Sequence, residues 1–119
     1  IDLKAEIISH EEDMFAKIQE MDGIEPKDIM DSLSLSKNRE KVFRAGQGAG
    51  KSGSFFFFSA DHRFIIKTLR GSEKSIMLGM LDDYIEHIKS TKNNSLLVRI
   101  YGIFTFKTNY FAPLDVVIM

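Results

Sequence analysis

The spacing of apolar residues along this chain changes character twice. Ile7, Met14, Ile18 and Met21 recur at roughly helical intervals with acidic residues between them, which predicts a helix over about 5–20. Pro26 with Asp28 beside it has the form of a first helical turn. Ile29, Met30 and Leu33 then supply a short apolar face, so a second helix is predicted over about 26–34. The polar, aperiodic run from Leu35 to Glu40 reads as a connection into a strand at 41–45. After a glycine-rich stretch the period becomes that of a sheet. Phe55-Phe56-Phe57-Phe58, a turn at Ala60-Asp61-His62 and the β-formers of 63–69 predict a hairpin. From Ser72, the natural N-cap, a stripe of Met77, Met80, Leu81, Tyr84 and Ile88 predicts one long helix ending near Ser90. Two further strand-like runs, 96–106 and 110–119, meet at Lys107-Thr108-Asn109, and Pro113 argues for an edge position or a bulge in the last. The sum is an α+β fold: an antiparallel sheet with one long helix packed on it, preceded by one or two amino-terminal helices.

At 119 residues with 44% hydrophobic side chains, one domain over 1–119 is expected, with 1–35 as an amino-terminal helical segment of the same unit. The absence of cysteine excludes disulfides and thiolate metal sites, and His10, His62 and His87 show no metal-ligand spacing. A reducing, intracellular setting is expected. No apolar run approaches the ~20 residues that cross a bilayer, so the expectation is a soluble chain, at most peripheral to a membrane. The net charge of −1 hides an asymmetry: residues 1–35 carry 3 basic and 10 acidic side chains, and residues 36–119 carry 13 basic and 7 acidic. The basic remainder suits an anionic ligand or surface, while the acidic third also reads simply as a solvated helix.

The stretch Ala45-Gly46-Gln47-Gly48-Ala49-Gly50-Lys51-Ser52 resembles a phosphate-binding loop, and Gly48 to Gly53 also fits G-x-G-x-x-G. P-loop and dinucleotide motifs require a helix directly after the glycines, whose amide end binds the phosphate. Phenylalanines and further β-formers follow instead. A kinase-type glycine loop joins two antiparallel strands, and the predicted order of strand, glycines, strand, turn, strand fits it. Phe64-Ile65-Ile66-Lys67 has the shape of the kinase strand that ends in a phosphate-contacting lysine. Strand alternation places Ile65 on the face of Lys67, and Glu73, in the first turn of the next helix, is positioned to pair with Lys67. Glu73 also has an ordinary role as a first-turn acid favouring the helix dipole. On these residues alone other readings stay open: a plain Gly-rich turn, a P-loop nucleotide hydrolase, or a non-catalytic module. In the last, the phenylalanines with Lys37, Arg39, Lys41 and Arg44 would face a membrane or a partner.

Ser52 to Phe56 (Ser-Gly-Ser-Phe-Phe) and Phe64 to Thr68 (Phe-Ile-Ile-Lys-Thr), with Asn94-Ser95-Leu96-Leu97, Ile100-Tyr101-Gly102 and Val116-Val117-Ile118-Met119, resemble the phosphatidylinositol phosphate kinases. The resemblance extends more weakly upstream and covers nearly the whole chain. It implies the amino-terminal lobe of a lipid kinase that transfers the ATP γ-phosphate to an inositol ring hydroxyl, with phosphatidylinositol 4-phosphate as the implied substrate and Mg2+ as the metal. Carried over by residue, Gly50, Lys51, Ser52, Gly53 and Ser54 would cover the phosphates, Lys67 would contact them, Glu73 would position Lys67, and Ile65 and Met119 would border the adenine. Glu86 is the alternative acid, with Asp82 and Asp83 expected to be solvated. The family's catalytic and metal-binding aspartates lie after the hinge, so no metal ligand is expected in this chain and the 119 residues alone are expected to be inactive. The implied partners are a phosphoinositide at the cytoplasmic face of a membrane, the carboxy-terminal lobe and a second copy of the chain; nucleic acid is not among them.

Overall fold

The computed structural model describes residues 5–34, 37, 38, 40–42, 44, 55–91, 98–108 and 112–119. The elements are β1 (Ala5–His10), α1 (Glu12–Met21), α2 (Pro26–Ser32), β2 (Phe56–Phe58), β3 (Ile65–Leu69), α3 (Glu73–Gly79), α4 (Leu81–Ser90), β4 (Gly102–Thr108) and β5 (Leu114–Ile118). The strands form one antiparallel sheet in the order β1-β4-β5-β3-β2, which makes the fold α+β with helices on a sheet, consistent with a kinase amino-terminal lobe.

Both faces of the sheet are covered. On one, Phe57, Phe64, Ile66, Phe104, Phe106, Leu114, Val116 and Ile118 pack with Ile29 and Leu33 of the α2 region and with Val42. On the other, Leu69, Ile103 and Val117 meet Phe15 and Ile18 of α1 and Leu81 and Ile85 of α4. Alternation along β3 and β5 therefore sends apolar side chains into two separate layers. Gly102 begins β4 without a side chain because a Cβ there would lie 2.5 Å from Cε2 of the buried Phe104 ring.

Several predicted elements differ. The helix expected over 5–20 begins as strand β1, whose Ile7 stands opposite Phe106 of β4. Glu11 then takes left-handed backbone (φ 48°) and starts α1, accepting the N–H groups of Met14 and Phe15. The connection expected over 35–40 is helical at residues 37, 38 and 40, and the strand expected at 41–45 is helical at residues 41, 42 and 44. Val42 turns into the core and Glu40 pairs with Arg44 at 3.3 Å, the i,i+4 spacing of a helix. The long helix is two: α3 and α4 meet at Met80, which is 58% exposed, and Ile85, absent from the predicted stripe, is buried in its place. Ser72 holds the N-cap position of α3 without a side-chain capping bond. Pro113 lies just before β5, a central strand, where its missing N–H costs the ladder nothing. Met30 is exposed rather than part of the α2 face.

The β2–β3 turn is fixed by polar groups. Asp61 accepts the hydroxyls of Ser32 and Ser59, each at 2.6 Å, and the Arg63 N–H at 3.2 Å. Buried Asn38 accepts the Ala60 N–H at 2.9 Å and donates to the Ser32 carbonyl at 2.7 Å. Hydrogen bonds to the charged form, from Ser32 first and then Ser59, hold the Asp61 carboxyl at about 2, below its ordinary 3.8. A depressed folded-state value means that the stabilisation is complete above 3.8 and is lost as the pH falls towards 2. Asp61→Ala should therefore unfold at lower urea concentration than the parent at neutral pH, with the gap narrowing through that acid window. A gap that stays constant there would contradict this origin.

Candidate functional site

The site is built on the α1/α4 face of the sheet, at its β2–β3 edge. Residues paired across neighbouring strands share a face, so Phe56 opposite Lys67 and Phe58 opposite Ile65 place these four side chains together. Val117 lies opposite Lys67 on the other side of β3. Ile65 and Met119 exchange both backbone hydrogen bonds, at 2.9 and 2.8 Å, which brings Met119 beside Ile65 although the two are far apart in sequence.

Phe56 (57% exposed), Phe58 (52%) and Ile65 (36%) form an open apolar surface, while Phe57 between them is buried in the opposite layer. Exposed aromatic and aliphatic side chains at adjacent register positions are suited to a flat apolar ring. Lys67 stands at one end of this surface. Its Nζ lies 3.6 Å from Glu73 Oε2 and 5.8 Å from the Phe56 ring centroid. The other oxygen of Glu73 accepts the Arg70 N–H at 2.8 Å, so the carboxylate is held between the backbone entering α3 and the lysine. A partly exposed ion pair of this kind contributes only about 0–1 kcal/mol to stability. Its consequence is geometric: a cation is kept at a fixed place beside an apolar surface.

The structure thus brings together Ile65, Lys67, Glu73 and Met119 of the residues singled out from sequence. Gly50, Lys51, Ser52, Gly53 and Ser54 lie outside the described residues. Glu86 is exposed on α4 and forms no ion pair with Lys67, and Asp82 and Asp83 are exposed as expected. Phe56 and Phe58 are additions. Their alternation was visible in the sequence, but whether the strand was covered on one face or both was not. The first described residues after the glycine run lead into strand β2 rather than the helix that a P-loop requires, which weighs against that reading. Among the described residues, no group of three or more acidic or histidine side chains could hold a metal ion, and no helix is long and apolar enough to cross a membrane.

Tyr101 and Tyr84 belong to the support behind this face. Tyr101 donates to Asp22 at 2.9 Å, and burial, with Asp22 as neighbour, pushes its hydroxyl up to about 12. Tyr84 donates to the Val98 carbonyl and accepts the Ile100 N–H, and burial raises it too. Both hydroxyls stay protonated and serve as donors that fix the chain entering β4.

Comparison with known proteins gives a consistent result. The sequence model of a family described as phosphatidylinositol-4-phosphate 5-kinase matches residues 37–119. A probable phosphatidylinositol phosphate kinase of Dictyostelium discoideum is 41% identical over 106 residues, covering 88% of this chain and 15% of the relative. Phosphatidylinositol 4-phosphate 5-kinase 9 of Arabidopsis thaliana is 42% identical over 94 residues, 79% of this chain and 11% of the relative. The 5-kinase its3 of Schizosaccharomyces pombe is 44% identical over 70 residues, 59% of this chain and 9% of the relative. The chain therefore spans only a small part of the length of the curated relatives it matches.

Proposed function

The chain belongs to the phosphatidylinositol-4-phosphate 5-kinase family, and from that premise we propose that it is the ATP-binding lobe of a lipid kinase acting on phosphatidylinositol 4-phosphate. The observation that carries the reading is the joint placement of Lys67, held by Glu73, and the exposed surface of Phe56, Phe58 and Ile65 with Met119 beside it. An adenine ring would lie on the apolar surface, with Ile65 and Met119 at its border. From there the phosphates would run towards Lys67 and the glycine run of Gly50 to Ser54.

In this reading the residues of the chain bind and orient. ATP supplies the phosphoryl group, which passes to an inositol hydroxyl. The Lys67 ammonium offsets charge on the phosphate oxygens, and Glu73 keeps that ammonium from swinging into solvent. Mg2+ and the acids that hold it, the group that accepts the inositol proton, and the lipid-contacting surface belong to the rest of the protein, as does peripheral attachment to the cytoplasmic face of a membrane. A homodimer is a further partner consistent with the family.

The test is the complete protein with labelled ATP, Mg2+ and vesicles of phosphatidylinositol 4-phosphate, followed by deacylation and chromatographic separation of ring isomers. The expected product is phosphatidylinositol 4,5-bisphosphate. A folded protein that does not label phosphatidylinositol 4-phosphate would overturn the substrate assignment, and label at another ring hydroxyl would overturn the assigned ring position.

A further inference from the structure

Helix α3 carries Glu73, yet it is poorly equipped to stay in place. It has seven residues, none of them fully buried, and only Met77 and Leu78 are partly covered against the helix-side core. A helix this short has little stability of its own and depends on tertiary contacts. Two adjacent side chains add polar contacts to those of Met77 and Leu78. Glu73 reaches Lys67 of β3 at 3.6 Å, and Lys74 reaches Asp115 of β5 at 3.3 Å.

Asp115 lies on the same face as Lys67, since Lys67 is opposite Val117 and Asp115 is two positions from Val117 along β5. It is also the end of a polar row that crosses the sheet. The hydroxyl of buried Thr105, directly opposite Asp115 in register, donates to its Oδ1 at 2.6 Å. His10 Nε2 lies 2.7 Å from the same Thr105 oxygen. A hydroxyl has one proton to give, so with Thr105 donating to the carboxylate the His10 ring nitrogen is the donor to Thr105. The row His10, Thr105, Asp115, Lys74 therefore ties β1, β4 and β5 to α3 at the residue next to Glu73.

We infer that Lys74 and Asp115 are positioning residues for the phosphate-contacting pair: their contact sets where α3 sits and hence how far Glu73 stands from Lys67. The inference rests on the reading of Lys67 as the nucleotide contact. The 3.6 Å separation of Lys67 and Glu73 lies beyond the 2.7–3.2 Å of a direct N–H to O hydrogen bond. A small displacement of α3 therefore makes or breaks their contact. The fold does not depend on the Lys74–Asp115 pair in the same way, because a partly exposed pair stabilises little.

The experiment uses the complete kinase and four variants: Lys74→Met, Asp115→Asn, the double variant and Lys74→Arg, with Lys67→Met in parallel. Each of the first two should lower kcat by about 2- to 5-fold, since a partly exposed pair can bias the position of α3 by no more than its own small energy, with the melting temperature and the KM for ATP nearly unchanged. The double variant should lose no more than either single one, because both break the same contact. Lys74→Arg should retain most activity. Losses that multiply in the double variant, losses that only track a lowered melting temperature, or full turnover by folded Lys74→Met would each overturn the inference. If full turnover by Lys74→Met accompanies an inactive Lys67→Met, the lobe reading stands and only the positioning role falls. An active Lys67→Met would overturn both.

Discussion

Replacing Lys67 with Met in the complete kinase is expected to lower kcat for lipid phosphorylation roughly 10²- to 10³-fold while the protein stays folded. The side chain projects from β3 on the α1/α4 face, at the exposed β2–β3 edge of the sheet, and its Nζ meets Glu73 and the Phe56 ring rather than the core. Met keeps the unbranched stem and its contacts with the strand but deletes the charge. The ion pair that is lost is partly exposed, so the melting temperature should change little. Phosphoryl transfer depends on charge placed in advance around the moving group, and that is what the substitution removes. Near-normal turnover by the folded variant would show that the Lys67 face is not where the nucleotide phosphates lie.

The largest effect on stability is expected at Phe106. The ring is fully buried in β4, between Ile7 of β1 and Leu114 of β5 in register, and belongs to the larger of the two core layers. Phe106→Ala deletes the ring from a site bounded by strands on both sides, which cannot collapse to fill the space. A loss of about 3–5 kcal/mol is expected, a large part of the roughly 5–15 kcal/mol that holds a typical domain together. Phe106→Leu, which keeps more of the volume, should cost clearly less. Urea titration of the parent and both variants reads this directly as a lowered midpoint at unchanged slope. Equal midpoints for parent and Phe106→Ala would contradict the placement of Phe106 in the core.

Parts of this were legible in the sequence for identifiable reasons. The β2–β3 hairpin is encoded locally, by aromatic and β-branched runs on either side of an Asp-containing turn. The Lys67–Glu73 pair follows from a lysine near a strand end and an acid in the next helical turn, both within one short segment. The misread elements depend on distant partners or on competing patterns. β1 is a strand because it pairs with β4 near the other end of the chain, whereas the apolar spacing continuing through Met14, Ile18 and Met21 made the whole segment look helical. At 40–44 the i,i+4 spacing of Glu40 and Arg44 was the available helical signal, masked by an apolar Val42 that fits either state. The break at Met80 follows Gly79 in a run of otherwise good helix formers. Asp115 and Lys74 come together only through strand register, which sequence spacing does not reveal.

The central claim is that ATP phosphates meet Lys67, and an ATP analogue with an acyl group on its terminal phosphate tests it most directly. Such a reagent acylates the amine held against the phosphates, and digestion followed by mass spectrometry locates the label. In the complete kinase the account predicts acylation of Lys67, suppressed by excess ATP and unaffected by an unrelated anion. Label spread over exposed lysines such as Lys89 and Lys107, with Lys67 unlabelled or unprotected by ATP, would contradict it.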